Sequence, residues 1–213
     1  MGETPALAPE QDRALEQLSR VAGMDRFYLA GGSAVAWHLR HRISRDIDLF
    51  SATGTEDLGA LRERIAVAVP GAEVVSTTEV SLRLRLEGAP VDLVRYRYPL
   101  LEPPSVGPRG FSVAGLRDLA AMKLGAVAGR GLRRDFWDLY AILGRSLSIG
   151  DAAFAYVDRF GLAQPDLYHL ALSLTYFADA ERDTVFPAGM DASLWNAIKK
   201  FFRSETPKLL AGP

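Results

Sequence analysis

Two aspartates, Asp46 and Asp48, stand two residues apart in the alternating run Asp46-Ile47-Asp48-Leu49-Phe50. In an extended strand, residues i and i+2 share a face, so both carboxylates project together while Ile47 and Leu49 turn toward a core. Paired carboxylates suit a hard cation such as Mg2+, which takes oxygen ligands at about 2.1 Å, one or two of them carboxylates and the rest water or phosphate oxygens. The same spacing also fits a solvated strand face, so the pair alone decides nothing. Upstream, Gly31-Gly32-Ser33 follows the short apolar run Phe27-Tyr28-Leu29-Ala30. Two glycines let the backbone come close to a ligand, and Ser33 stands where it could cap a helix through Ala36, Trp37 and Leu39, whose unpaired N–H groups would attract an anion. An ordinary glycine turn at a strand end is the alternative.

Further along, Lys123 lies among Leu119, Met122, Leu124 and Val127. An ammonium in such surroundings either snorkels to water or meets an anion, a phosphate among them. Arg130, seven positions later, shares that helix face if the helix extends so far, and would join the phosphate contacts. Asp135 and Asp138, at i and i+3, sit among Phe136, Trp137, Leu139 and Tyr140. Buried acids need partners, so at least one should meet Lys123, an arginine or a bound ligand. Asp135 could instead cap its helix, and Asp138 could serve a structural ion pair. Arg42, Arg45, Arg95 and Arg97 are candidates for a local basic rim, whereas His38, His41 and His169 lack metal-ligand spacing.

The elements that must position these groups follow from periodicity. Glu10 to Ala22 reads as an amphipathic helix and Phe27 to Ala30 as a strand; a helix then runs on from Ser33, and Asp46 to Phe50 is a second strand. A helix from Thr55 to Val69 is followed by strands at Ala72 to Thr77, Ser81 to Glu87 and Val91 to Arg97, with a turn at Gly88-Ala89-Pro90. Pro99 to Gly110 disfavours regular structure, and beyond it helices are expected at Val113 to Ala128, Arg134 to Leu143, Ile149 to Phe160, Pro165 to Asp183 and Ala192 to Ser204. The expected class is therefore α+β: a small mixed sheet with flanking helices over residues 1–110, followed by a helical C-terminal part over 111–213 packed on that core.

Composition narrows the classes. At 213 residues with 48% hydrophobic content, the chain can bury a sizeable core without staples. The formal net charge is -1, so any contact with nucleic acid must be local. There is no cysteine, which excludes disulfides, thiolate metal sites and a cysteine nucleophile and fits a reducing cytoplasm. Met1 to Pro9 lacks the pattern of a signal peptide and no run approaches the length of a membrane span, so no membrane partner is expected.

A strand, Gly-Gly-Ser, a helix and an Asp-x-Asp strand in this order form a more specific pattern than any part. The stretch from Tyr28-Leu29-Ala30-Gly31-Gly32-Ser33-Ala34 through Asp46-Ile47-Asp48-Leu49-Phe50 resembles the signature of the DNA polymerase β-like nucleotidyltransferase superfamily. Within it, Arg42-Ile43-Ser44-Arg45-Asp46 resembles the AbiEii-type abortive-infection toxin branch. Leu119-Ala120-Ala121-Met122-Lys123-Leu124 and Arg133-Arg134-Asp135-Phe136-Trp137-Asp138-Leu139-Tyr140 are similar to that branch's lysine and Arg/Lys-Asp-x-x-Asp helices. The resemblance implies a nucleotidyltransferase fold and a third carboxylate on a neighbouring strand, for which Asp92 is the candidate. It implies Mg2+ on Asp46, Asp48 and Asp92, with Lys123 and Asp135 also in the catalytic set. Gly31, Gly32, Ser33, Lys123 and Arg130 would bind the nucleotide. An NTP would be the substrate, a tRNA 3′ end the acceptor and an antitoxin protein the partner. Transfer to a small aminoglycoside-like acceptor, and a non-catalytic nucleotide-binding or partner-binding module, are the competing readings.

Overall fold

Helix α1 (Pro9–Leu18) carries proline at its start, where no backbone N–H is needed, and buries Ala14, Leu15 and Leu18. It stops short of the expected Ala22, because Val21 and Met24 are drawn into a turn through the left-handed Gly23. The computed structural model describes residues 7–51, 53–163 and 167–210. Strand β1 (Phe27–Ala30) is wholly buried and passes directly into α2 (Gly31–Leu39). Next come β2 (Ile47–Ser51), α3 (Leu58–Ala68), β3 (Glu73–Thr77), β4 (Ser81–Leu86) and β5 (Ala89–Val94). Asp57 starts α3 by accepting a bond from the Ala60 N–H at 2.9 Å.

The turn before β5 falls on Glu87 and Gly88, one residue earlier than expected. Both have positive φ, +54° and +83°, the pattern of a two-residue hairpin whose twist matches its strands, and Ala89 pairs with Leu86. The segment expected to be irregular supplies two short strands, β6 (Ser105–Val106) and β7 (Ser112–Val113). Among the described residues the sheet has seven strands in the order β3-β4-β5-β2-β1-β7-β6. It is mixed: β2 with β5 and β1 with β7 are parallel, the other pairs antiparallel.

The chain divides into two compact units, Met1–Gly115 and Leu116–Pro213, the first holding the whole sheet. In the second, α4 (Leu116–Gly129) begins later than the expected Val113, because Val113 is paired in the sheet. It is followed by α5 (Arg133–Leu143) and α6 (Ile149–Phe160), the latter opened by a reciprocal Ser148–Asp151 cap. The single helix expected from Pro165 to Asp183 is instead α7 (Leu167–Thr175) and α8 (Ala178–Arg182); Pro165 itself lies outside the described residues. At the break, the Thr175 hydroxyl donates to the carbonyls of Ala171 and Leu172. Helices α9 (Ala192–Glu205) and α10 (Pro207–Leu210) complete the unit. No described helix is long and apolar enough to cross a membrane.

The helical core is aromatic, with the Phe136 ring 5.2 Å from Phe177, 5.8 Å from Trp195 and 5.4 Å from Phe202. Within it α6 and α4 are joined by the ion pair Arg159–Asp118, both side chains fully buried. Removing one partner strands a charge in apolar surroundings, so Asp118→Asn should lower unfolding stability by about 3–5 kcal/mol, measured by urea titration. A loss within ~0.5 kcal/mol, the size of an ordinary surface substitution, would count against this role.

Candidate functional site

Strand register decides which of the predicted residues meet. In the antiparallel β1–β2 pair Ala30 lies opposite Asp48, and in the parallel β2–β5 pair Asp48 lies beside Asp92. Ile47, Leu49, Val91 and Leu93 are buried on one face, while Asp48 and Asp92 are partly exposed on the other. Adjacent strands are about 4.8 Å apart, so the two carboxylates rise from neighbouring positions. Asp46, just ahead of β2, shares their face by the two-residue period, and its charge acts on Asp92.

Gly31 is required twice over. Its φ of +59° is left-handed, and a Cβ there would stand 2.0 Å from Oδ2 of Asp48. The Asp48 carboxylate therefore packs directly over the strand-to-helix junction. Gly32 and Ser33 follow in the first turn of α2. Ser33 does not cap this helix, contrary to the sequence expectation. The chain enters α2 through Gly31, leaving Ala30 as the cap residue, and the buried Ser33 hydroxyl donates to the Ala30 carbonyl at 3.2 Å. An anion at this helix end would meet the backbone N–H groups, which have no intrahelical acceptor in the first turn.

Asp92 is held by a residue that the sequence reading passed over. Arg83 lies directly opposite it in the β4–β5 ladder, with Nε 3.2 Å from Oδ1. The alternation Ser81-Leu82-Arg83-Leu84-Arg85-Leu86 placed Arg83 on the polar face, but only the hairpin register gives it Asp92 as neighbour. Burial pushes the Asp92 carboxyl up and the Asp46 charge adds to this; Arg83 opposes both, and the net shift is upward. Mutually repelling carboxylates on one face are a donor set that a divalent cation relieves. Among the described residues, no three carboxylates or imidazoles stand close enough to enclose a metal ion. The oxygen donors there suit a hard divalent cation, which one or two of these carboxylates would hold with water and phosphate completing its shell.

Of the four arginines considered for a basic rim, two are tied to backbone carbonyls. Arg42 is buried and donates to Ile43, while Arg95 reaches Gly54 and Glu79. Arg45 and Arg97 are exposed.

The helical unit gathers the second predicted group. Lys123 Nζ is 3.1 Å from Asp135 Oδ1 and 2.7 Å from Asp138 Oδ2, with both aspartates at 0% exposure. Arg130 adds two bonds to Asp135, at 2.8 and 2.9 Å, with its own side chain half exposed. Asp135 is not the cap of α5, a position taken by Leu132, but its charge lies in the first turn, where the helix dipole favours it. Burial pushes the Asp135 carboxyl up, yet the Arg130 bonds and the Lys123 charge outweigh it and hold it below the ordinary range.

Two outcomes follow from these charges. Because Asp92 binds its proton more tightly folded than unfolded, stability falls as pH rises from the ordinary carboxyl value through the raised one, and stays lowered above it. Asp92→Asn should accordingly raise the melting temperature of the metal-free protein at neutral pH, with no gain at pH 3; an unchanged or lower value at neutral pH contradicts the assignment. Lys123→Met leaves two buried carboxylates without their ammonium, and chemical unfolding should register a loss of about 3–5 kcal/mol. Wild-type stability in that variant would show that the cluster contributes nothing to the fold.

The chain is similar to known proteins over nearly its whole length. Residues 13–211 match the family described as nucleotidyl transferase AbiEii toxin of type IV toxin–antitoxin systems. The Aquifex aeolicus (strain VF5) protein aq_aa25 is 28% identical over 205 residues, spanning 96% of this chain and 98% of that one. The solved structure of MenT4, a nucleotidyltransferase toxin from Mycobacterium tuberculosis H37Rv, has a TM-score of 0.51 at 20% identity, covering 94% of this chain and 90% of that chain. With residues 13–211 matched, nearly its whole length, the chain belongs to the AbiEii family of nucleotidyltransferase toxins.

Proposed function

We propose that this nucleotidyltransferase moves a nucleoside monophosphate from an NTP to a hydroxyl at an RNA 3′ end, with tRNA as the acceptor. The observation that carries this reading is the placement of Asp48 beside Asp92 and against Gly31. In the reaction the acceptor oxygen bonds to the α-phosphorus, the bond from that phosphorus to the bridging oxygen breaks, and pyrophosphate leaves. Mg2+ on one or two of Asp46, Asp48 and Asp92 would supply charge neutralisation of the triphosphate and alignment of the attack.

The chain's own residues do the rest. Asp92, beside Asp48 in the sheet, is the carboxylate assigned to take the proton of the attacking hydroxyl. The Gly31, Gly32 and Ser33 backbone N–H groups at the start of α2 are oriented to meet phosphate oxygens. Within the helical unit, Lys123 and Arg130 are the cations assigned to phosphate, with Asp135 and Asp138 fixing the Lys123 ammonium. The family's toxin–antitoxin context supports an antitoxin protein as the partner and the cytoplasm as the setting.

Incubation with each of four labelled NTPs, against tRNA and against small hydroxylated acceptors, tests the reading. Label should pass to tRNA in the presence of Mg2+, and Asp48→Asn should abolish transfer while the protein remains folded. Full Mg2+-dependent activity in that variant would remove Asp48 from the mechanism. Label on an aminoglycoside but not on tRNA would reassign the acceptor.

A further inference from the structure

Phe50 follows Asp48 by one strand period, so its ring rises from the same face as the carboxylates, one row along. The Tyr96 ring is centred 4.7 Å from it, and the Tyr98 ring a further 5.3 Å on. All three rings are half-buried. The ring planes are tilted, by 42° between Phe50 and Tyr96 and by 63° between Tyr96 and Tyr98, so the three form a stepped aromatic cluster.

The two tyrosines lie beyond the end of β5 at Val94, so no strand ladder fixes them. A polar hub does so instead. Ser51, 1% exposed, accepts hydrogen bonds from the N–H groups of Tyr96 and Gly54, both at 3.0 Å. The loop approaches so closely that a Cβ on Gly54 would stand 3.0 Å from the Tyr96 carbonyl oxygen. Arg95 ties the same loop down through the Gly54 carbonyl at 3.4 Å and the Glu79 carbonyl at 3.1 Å. Glu56, also buried, accepts from the Thr53 hydroxyl at 2.8 Å. Burial pushes its carboxyl up, but hydrogen bonds from Ser51 and Thr53 outweigh this and keep it ionised. A buried carboxylate and an engaged guanidinium carry desolvation costs that apolar packing of two rings does not require. The construction is what holding those rings at a fixed height demands.

We propose that Phe50, Tyr96 and Tyr98 form a stacking shelf for a nucleobase, an inference that rests on the transfer reading above and names where its substrate is gripped. Every base presents a π face, so stacking on such a shelf tolerates any sequence. Arg97 supplies the matching charge. It is exposed, its guanidinium is 5.1 Å from the centre of the Tyr98 ring, and Nη2 donates to the Tyr98 hydroxyl at 3.1 Å. A base on the shelf brings its phosphate to this cation. The base belongs either to the incoming triphosphate or to the RNA end, and the two sources are separable by experiment.

Two fluorescent probes serve, each with the full chain: 2-aminopurine riboside triphosphate carrying an α,β-methylene bridge, which cannot be transferred, and a short RNA with 2-aminopurine at its 3′ end. Stacking quenches the probe. Saturable quenching of the triphosphate alone assigns the shelf to the NTP base, and quenching of the RNA alone assigns it to the acceptor. The double variant Tyr96→Leu/Tyr98→Leu keeps apolar bulk without π faces; the Kd of the quenched probe should rise about tenfold, with the unfolding midpoint unchanged. Tyr98→Phe, which keeps the ring, should retain the quenching. An unchanged Kd in the double-leucine variant overturns the shelf, as does label transfer by the unmutated protein with neither probe quenched. Quenching that depends on the tyrosines, in a protein that transfers no label, supports the shelf and sinks the transfer reading.

Discussion

The Asp48 carboxylate occupies the volume that any side chain at residue 31 would need. This one contact fixes several features together. It demands glycine at the end of β1, and it makes the chain turn through a left-handed residue into α2. It also brings a helix N-terminus, with its partial positive charge, next to an acid on the adjacent strand. A carboxylate so placed gains from the helix end what it loses in hydration. The parallel pairing of β2 with β5 then sets Asp92 beside it, and the antiparallel hairpin sets Arg83 beside Asp92. The sheet face thus carries two adjacent acids, Asp48 and Asp92, flanked by the helix end on one side and Arg83 on the other.

The two units handle charge differently. In the first, the acidic groups are left partly in water, and Arg83 offsets the repulsion felt by Asp92. In the second, Lys123, Asp135 and Asp138 are withdrawn from solvent and their charges balanced, with Arg130 covering the exposed side. The second buries its charges, and the cost in desolvation is offset by short, well-directed bonds.

Much of this was legible in the sequence. The two-residue period of Asp46-Ile47-Asp48 gave the shared face, and the glycines at Gly31 and Gly32 marked a close approach. The crowding of Lys123, Asp135 and Asp138 among apolar residues foretold ionic partners. What the sequence withheld were facts of register and of the exact start of an element. Ser33 read as a cap because serine is favoured there, but the helix begins two residues earlier once Gly31 takes a left-handed φ. Arg83 carried no local sign of its partner, since which residue faces it depends on whether the hairpin turns at Glu87-Gly88 or at Gly88-Ala89. Val113 read as helix because its apolar neighbours suit either state, and only pairing with Leu29 makes it a strand. Ser51 gave no signal at all, for its importance lies in two backbone N–H groups that no side-chain pattern reveals.

The β2–β5 pairing also bears on when the chain becomes competent. Strands β3, β4 and β5 form a local meander joined by short turns, which can close early and at little entropic cost. Asp48 meets Asp92 only after β2, far back in the sequence, docks in parallel beside β5, a non-local event of the slow kind. A nascent or half-folded chain therefore holds its carboxylates apart, and the acidic pair comes into being only with the finished sheet.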